Sequence, residues 1–139
     1  MKRSLICLFA LLLAMPAFAE RKHSAGEYEV HYNVFNSGFL QPDIAAAAGL
    51  TRSKTQGVMN IAVLKAGKPV PAKVSGTMHN LLSQRHVLKF SPLKEGEAIY
   101  YLAQFPVEAQ ETLRFNVNVH PEGGAPIDFE FSQELFPGQ

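Results

Sequence analysis

The sequence predicts an all-β fold, an immunoglobulin-like antiparallel β-sandwich of about seven strands with one short helix between the first two. Three observations lead there. Stretches of strict apolar and polar alternation recur along the chain, turns bearing glycine or proline separate them, and only Pro42 to Ala48 has helical composition. The chain has no tryptophan and a single cysteine, Cys7, so the disulfide and tryptophan of antibody domains are missing. A small antiparallel barrel fits the same alternation, because strand patterns do not reveal closure.

Residues 1–19 read as a cleaved signal peptide: Lys2 and Arg3 precede an apolar run from Leu5 to Met15, then Pro16 and the triplet Ala17, Phe18, Ala19. The run is about ten residues long, whereas a membrane-spanning helix needs ~20. The expected mature chain, residues 20–139, is one domain with no integral membrane segment, addressed to the periplasm. It holds no cysteine, so packing has to stabilise it in an oxidising compartment. Lys2 and Arg3 are two of 13 basic residues, and without them 11 stand against 12 acidic ones. With no run of like charge, neither nucleic acid nor an anionic membrane surface is an expected partner.

From Glu27 to Phe35, Tyr28, Val30, Tyr32 and Val34 alternate with polar residues, the pattern of a half-buried strand. Asn36, Ser37 and Gly38 end it. Pro42 suits the first position of a helix through Ala48, with Asp43 in its first turn and Gly49 as its stop. After Gly57, Met59, Ile61 and Val63 resume β alternation up to a hairpin loop at Lys65–Lys68, where Gly67 suits a positive φ. Pro69 and Pro71 are compatible only with an edge position or a strand start.

Ala72, Val74, Gly76 and Met78 share the next face, followed by His86, Leu88 and Phe90. Ser91, Pro92 and Lys94–Glu97 read as a turn. Ala98 to Phe105 is apolar on both faces, as a strand covered on both sides would be. In the last hairpin the parity sets Val119 opposite Ile127, Val117 opposite Phe129 and Phe115 opposite Phe131. Glu134 to Gln139 reads as a tail.

The runs HYNVFNSGFLQPDIAAAAGLTRSK and GVMNIAVL, with NLL near Asn80, EGEAIYYLAQF and TLRFNVNVHP, resemble the family Domain of Unknown Function 4426 over essentially the whole mature chain. The resemblance implies a small exported protein of Gram-negative bacteria. It implies no activity, cofactor or residue role.

Two groups of residues are candidates for a site. Asn36 and Ser37 before the helix, with Arg52, Ser53 and Lys54 after it, could converge on an anion if folding brings the strand ends together. The same residues are also what a turn requires for its geometry. Phe35 and Phe39 belong to this stretch: Phe35 lies on the polar face of its strand, either as a bed for the helix through Ile44 and Leu50 or as a contact patch. The second group, Met59, Met78, His79 and His86, offers thioether and imidazole donors suited to Cu(I), although Met59 and Met78 sit on faces expected to be core.

No nucleophile elbow, HExxH or phosphate loop occurs, and the carboxylates fall in turns or on polar faces. The expected role is a non-catalytic, cofactor-free module recognising a periplasmic protein or another envelope component. A sheet edge, the strand at Glu27 or the one after Pro71, could serve that purpose. The alternative is a periplasmic copper carrier.

Overall fold

In the computed structural model, which describes residues 21–137, ten strands form two antiparallel sheets with one α-helix and one 3-10 turn. The expected leader, including Cys7, lies outside the described residues. The strands are β1 (Arg21–Ala25), β2 (Tyr28–Asn36), β3 (Gln56–Lys65), β4 (Lys68–Pro69), β5 (Ala72–His79), β6 (Arg85–Lys89), β7 (Ser91–Glu95), β8 (Ala98–Pro106), β9 (Glu111–Pro121) and β10 (Ile127–Leu135). The helix α1 spans Pro42–Ala48, after the 3-10 turn Ser37–Phe39. One sheet has the order β1-β2-β3-β8-β7, with β4 on β3, and the other β10-β9-β5-β6.

Seven strands were expected and ten are present. The additional three are β1, the two-residue β4, and β7, and all lie at sheet margins. A marginal strand needs no long apolar face, so its sequence carries little alternation. Ser91–Glu95, expected as a turn, is β7, with Pro92 tolerated because an edge strand leaves one row of donors unpaired. The chain actually turns after Glu95, where Gly96 has φ +60°. The expected tail begins two residues late, since β10 continues through Leu135. Neither proposed edge is one: β2 lies between β1 and β3, and β5 between β9 and β6.

The alternation places one set of side chains between the sheets. Val30, Val34, Met59, Ile61, Tyr101, Ala103 and Phe105 face Met78, Leu88, Leu113, Phe115, Val117, Val119 and Ile127 in one buried cluster. Phe105 meets Phe115 across the gap edge-on, with ring centroids 5.2 Å apart. Where β1 and β2 approach β10, Tyr32 lies 4.5 Å from Phe131, His23 stacks on Phe129 at 5.0 Å, and Arg21 donates to the Ser132 carbonyl. The chain passes between sheets at Pro71, and there the Ala72 N–H donates to the Tyr101 hydroxyl at 2.9 Å.

The helix covers the opposite face of the larger sheet. Ala45 and Ala48 of α1, with Leu40, bury Val58 and Leu102, while Phe35, Ile44, Leu50 and Leu93 pack at the margin. Pro42 begins α1 and Gly49, at φ 70°, ends it in the left-handed conformation, as its sequence indicates. Strand β8 is therefore covered on both sides, with Tyr101, Ala103 and Phe105 toward the inter-sheet core and Leu102 under the helix.

Gly57 is set by the same packing. A Cβ there would lie 2.5 Å from Phe105 Cε2 and 3.1 Å from Val107 Cγ2, and Phe105 is held by Phe115. Gly57→Ala should lower stability by ~1–3 kcal/mol, read as a lower urea midpoint with an unchanged denaturant slope.

Candidate functional site

The connection between β2 and β3 is tied to itself. Ser37 is fully buried, and its Oγ donates to the Ser53 carbonyl at 3.0 Å while accepting from the Ser53 N–H at 2.9 Å. Arg52 Nη2 donates to the Gly38 carbonyl at 3.2 Å. The Gln104 side chain accepts from Thr51 N–H and donates to the Thr51 carbonyl, which fixes the segment to β8. Asn36 Nδ2 donates to the Phe136 carbonyl at 2.8 Å and so holds the end of the chain.

Folding thus gathers Asn36, Ser37 and Arg52, whereas Lys54 projects from the exposed part of the loop. Phe35 packs in the helix cluster, one of its two anticipated roles. Phe39 is 64 % exposed, and together with Phe35, Asn36 and Phe136 it lines a shallow recess of about 290 Å³. The Asn36 Oδ1 is buried there without a hydrogen-bond partner.

The four thioether and imidazole donors do not converge as one set. Met78 and His86 are direct register partners on the inward face of β5 and β6. Met59 and Met78 belong to the inter-sheet core. His79 is one residue out of phase with Met78, so it faces outward, and its register partners are Arg85 and Arg114. Among the described residues no three of His, Cys, Asp and Glu gather at a metal-binding distance.

The outer face of β10-β9-β5-β6 carries a more extended arrangement. Antiparallel register sets its side chains in rows across the four strands. One row reads Arg85, His79, Arg114, Ser132; the next Val87, Thr77, Asn116, Glu130; the third Lys89, Ser75, Asn118, Asp128. Arg85 and Lys89 therefore stand on the β6 side and Glu130 and Asp128 on the β10 side, with amides and hydroxyls between them in the second and third rows and His79 and Arg114 in the middle of the first. Asn118 Nδ2 donates to Asp128 Oδ1, which orients that amide.

A cavity of about 640 Å³ opens on this face, lined among others by Thr77, Arg85, Val87, Asn116, Asn118 and Glu130. Gly76 at its floor leaves room for close strand pairing, since a Cβ there would lie 2.7 Å from the Asn116 carbonyl oxygen. Sequence reading misses this site because the β5–β9 pairing joins segments about 40 residues apart. The one available signal is the polar half of each alternation, Ser75 and Thr77 with Asn116 and Asn118.

At the opposite sheet, the Glu29 carboxylate accepts from His31 at 3.2 Å and from Lys22 at 3.5 Å. The His31 hydrogen bond, with the Lys22 charge, holds its pKa below the ordinary carboxylate value. This is an exposed ion pair that fastens β1 to β2.

The family described as Domain of unknown function (DUF4426) matches residues 22–138. The chain is similar to the crystal structure of a DUF4426 family protein from Pseudomonas aeruginosa PAO1, with 46 % identity, a TM-score of 0.82, and coverage of 86 % of this chain and 97 % of that one. It is also similar to FetP of uropathogenic E. coli strain F11, as isolated, with 13 % identity, a TM-score of 0.64, and coverage of 84 % and 93 %. A copper-bound variant of FetP gives 14 % identity, a TM-score of 0.66, and coverage of 87 % and 97 %. At these identities the FetP likeness shows the fold alone. No curated protein gives a significant match.

Ser37→Ala removes a donor to one buried loop group and an acceptor from another, and should cost ~1–3 kcal/mol. Hydrogen exchange at the Ser53 amide should accelerate with it. Phe35→Ala should cost ~2 kcal/mol, less than at a fully buried ring, read as a lower melting temperature.

Proposed function

The chain belongs to the family described as Domain of unknown function (DUF4426), and within it we propose an exported, non-catalytic binding module that recognises a protein or another component of the cell envelope. The observation that carries this reading is the open cavity on the outer face of β10-β9-β5-β6. Its Thr77, Asn116 and Asn118 offer donors and acceptors along adjacent strands, with Arg85 on one side and Glu130 on the other. Such a surface suits an extended, polar partner segment that carries charge of both signs. The immunoglobulin-like description of the sandwich and the periplasmic address belong to the same reading. No helix among the described residues is long and apolar enough to cross a membrane, and the leader has the pattern of an export signal.

Arg52, Lys54 and Phe39, which are exposed, form a secondary contact surface under this proposal, with Asn36, Phe35 and the buried Ser37 beneath them. Their internal hydrogen bonds favour a supporting role, since Ser37 and Arg52 already engage backbone groups.

A second reading is a periplasmic copper carrier. Two observations favour it: the fold is shared with FetP, of which a copper-bound variant is known, and Met78 and His86 lie directly opposite each other. The Met78 thioether is buried, so loading would require the β5–β6 hairpin to open. Titration with Cu(I) against a competing chelator separates the readings. Tight binding lost in both Met78→Leu and His86→Ala supports the carrier.

For the binding module, Asn116→Arg places a bulky cation in the middle of the cavity at an exposed position. Capture of envelope components by the exported protein should fall by about tenfold or more at an unchanged melting temperature, as for a substitution at the centre of an interface. Unaltered capture by this variant counts against the cavity as the recognition surface.

A further inference from the structure

The hairpin tip between β5 and β6 holds the two most exposed large apolar side chains among the described residues, Leu81 at 77 % and Leu82 at 80 %. The tip is ordered by its own polar groups. Asn80 Oδ1 accepts from the N–H groups of Leu82 at 3.0 Å and Gln84 at 2.9 Å, and Asn80 Nδ2 donates to Gln84 Oε1 at 2.7 Å. Ser83 takes the left-handed conformation, φ 61°, and its N–H donates to the Asn80 carbonyl. These bonds hold the leucines outward at a local conformational cost.

Directly behind the tip lies the row Arg85, His79, Arg114, in which basic side chains are register partners in three neighbouring strands. Arg85 and Arg114 flank His79 and no carboxylate stands in the row, so ion pairing within it gives no reason for the arrangement. His79 and Arg114, with Ser83, Thr112 and Ser132, line a small recess of about 170 Å³ whose rim includes Leu81. One guanidinium, one imidazole and three hydroxyls around one recess are a donor set for a phosphate oxygen. Glu134, the register partner of Thr112, and Glu130, one row away, are the acidic neighbours, and neither lines it.

We propose that this end of the domain docks on an anionic lipid surface, the recess taking a headgroup phosphate and Leu81 and Leu82 entering the acyl boundary. The site is convex, with its apolar groups at the apex and its cations behind them. The leucines sit in the turn just beyond the row, the order in which an interfacial site meets hydrocarbon and headgroup, its apolar groups being buried ~5–10 Å into a bilayer. A bilayer presents phosphate first and hydrocarbon at that depth. Overall charge is close to neutral, so attraction comes from the local row and falls with added salt. This inference does not rest on the cavity proposed above, which none of Leu81, Leu82 and Arg114 lines.

The test is co-sedimentation of the exported protein, purified without its leader, with vesicles of phosphatidylethanolamine and phosphatidylglycerol and with vesicles of phosphatidylcholine alone. Binding should appear with the anionic vesicles and weaken in salt. The double substitution Leu81→Ser, Leu82→Ser should reduce it by about tenfold or more, and Arg114→Gln by about fivefold, with melting temperatures showing that the variants fold. Four outcomes would overturn the proposal: no binding to anionic vesicles, equal binding to phosphatidylcholine, undiminished binding by the leucine variant, or saturable binding of inorganic phosphate without vesicle binding. The last would assign the recess to a free anion.

Discussion

The structure depends on the contact between the inner faces of its two sheets. The single cysteine is Cys7, outside the described residues, so from Arg21 to Pro137 apolar packing has to hold the sheets together. Phe115 is at the centre of that contact, edge-on to Phe105 at 5.2 Å and stacked with Phe131 at 5.1 Å. Each such ring pair contributes ~0.5–1.5 kcal/mol beyond the area it buries. Rings so closely placed leave little freedom to their neighbours. Gly57 lies against Phe105 for that reason.

That core leaves two outer faces, and the chain treats them differently. On the larger sheet, Val58 and Leu102 point away from the core, and α1 exists to cover them. A seven-residue helix is too short to be stable alone, so its stability comes from the sheet beneath it and from the ties of Ser37, Arg52 and Gln104 that hold its flanking loops. The smaller sheet has no such apolar outer face. Apart from Val87, the outward residues of its rows are amides, hydroxyls, an imidazole and charges, which water satisfies, and no element of the described chain covers them. The sheet face left open is therefore the one that the helix does not occupy.

The copper question turns on the same geometry. Alternation alone puts Met78 and His79 on opposite faces, one toward the core and one toward solvent. A site that used both would need one side chain to leave its face. Met78 with His86 satisfies the parity, and what it lacks is access, since the inter-sheet packing closes over the thioether.

The β character, the helix from Pro42 to Ala48, the doubly covered strand β8 and the register of the last hairpin were legible without coordinates. All are local: they follow from side-chain period, from proline and glycine at the helix ends, and from a turn short enough to fix which residues face each other. The marginal strands β1, β4 and β7 were not legible, because a strand paired on one side only needs little apolar alternation. The rows on the outer face were also hidden. Ser75, Thr77, Asn116 and Asn118 could be recognised as outward residues, but nothing in their spacing says that β5 lies beside β9 or that Arg85, His79 and Arg114 stand together. Strand pairing between distant segments is selected by the packing of the whole core, and only the folded chain expresses that choice. The sequence by itself determined which side of each strand would be dry; the tertiary structure decided which wet sides would be neighbours.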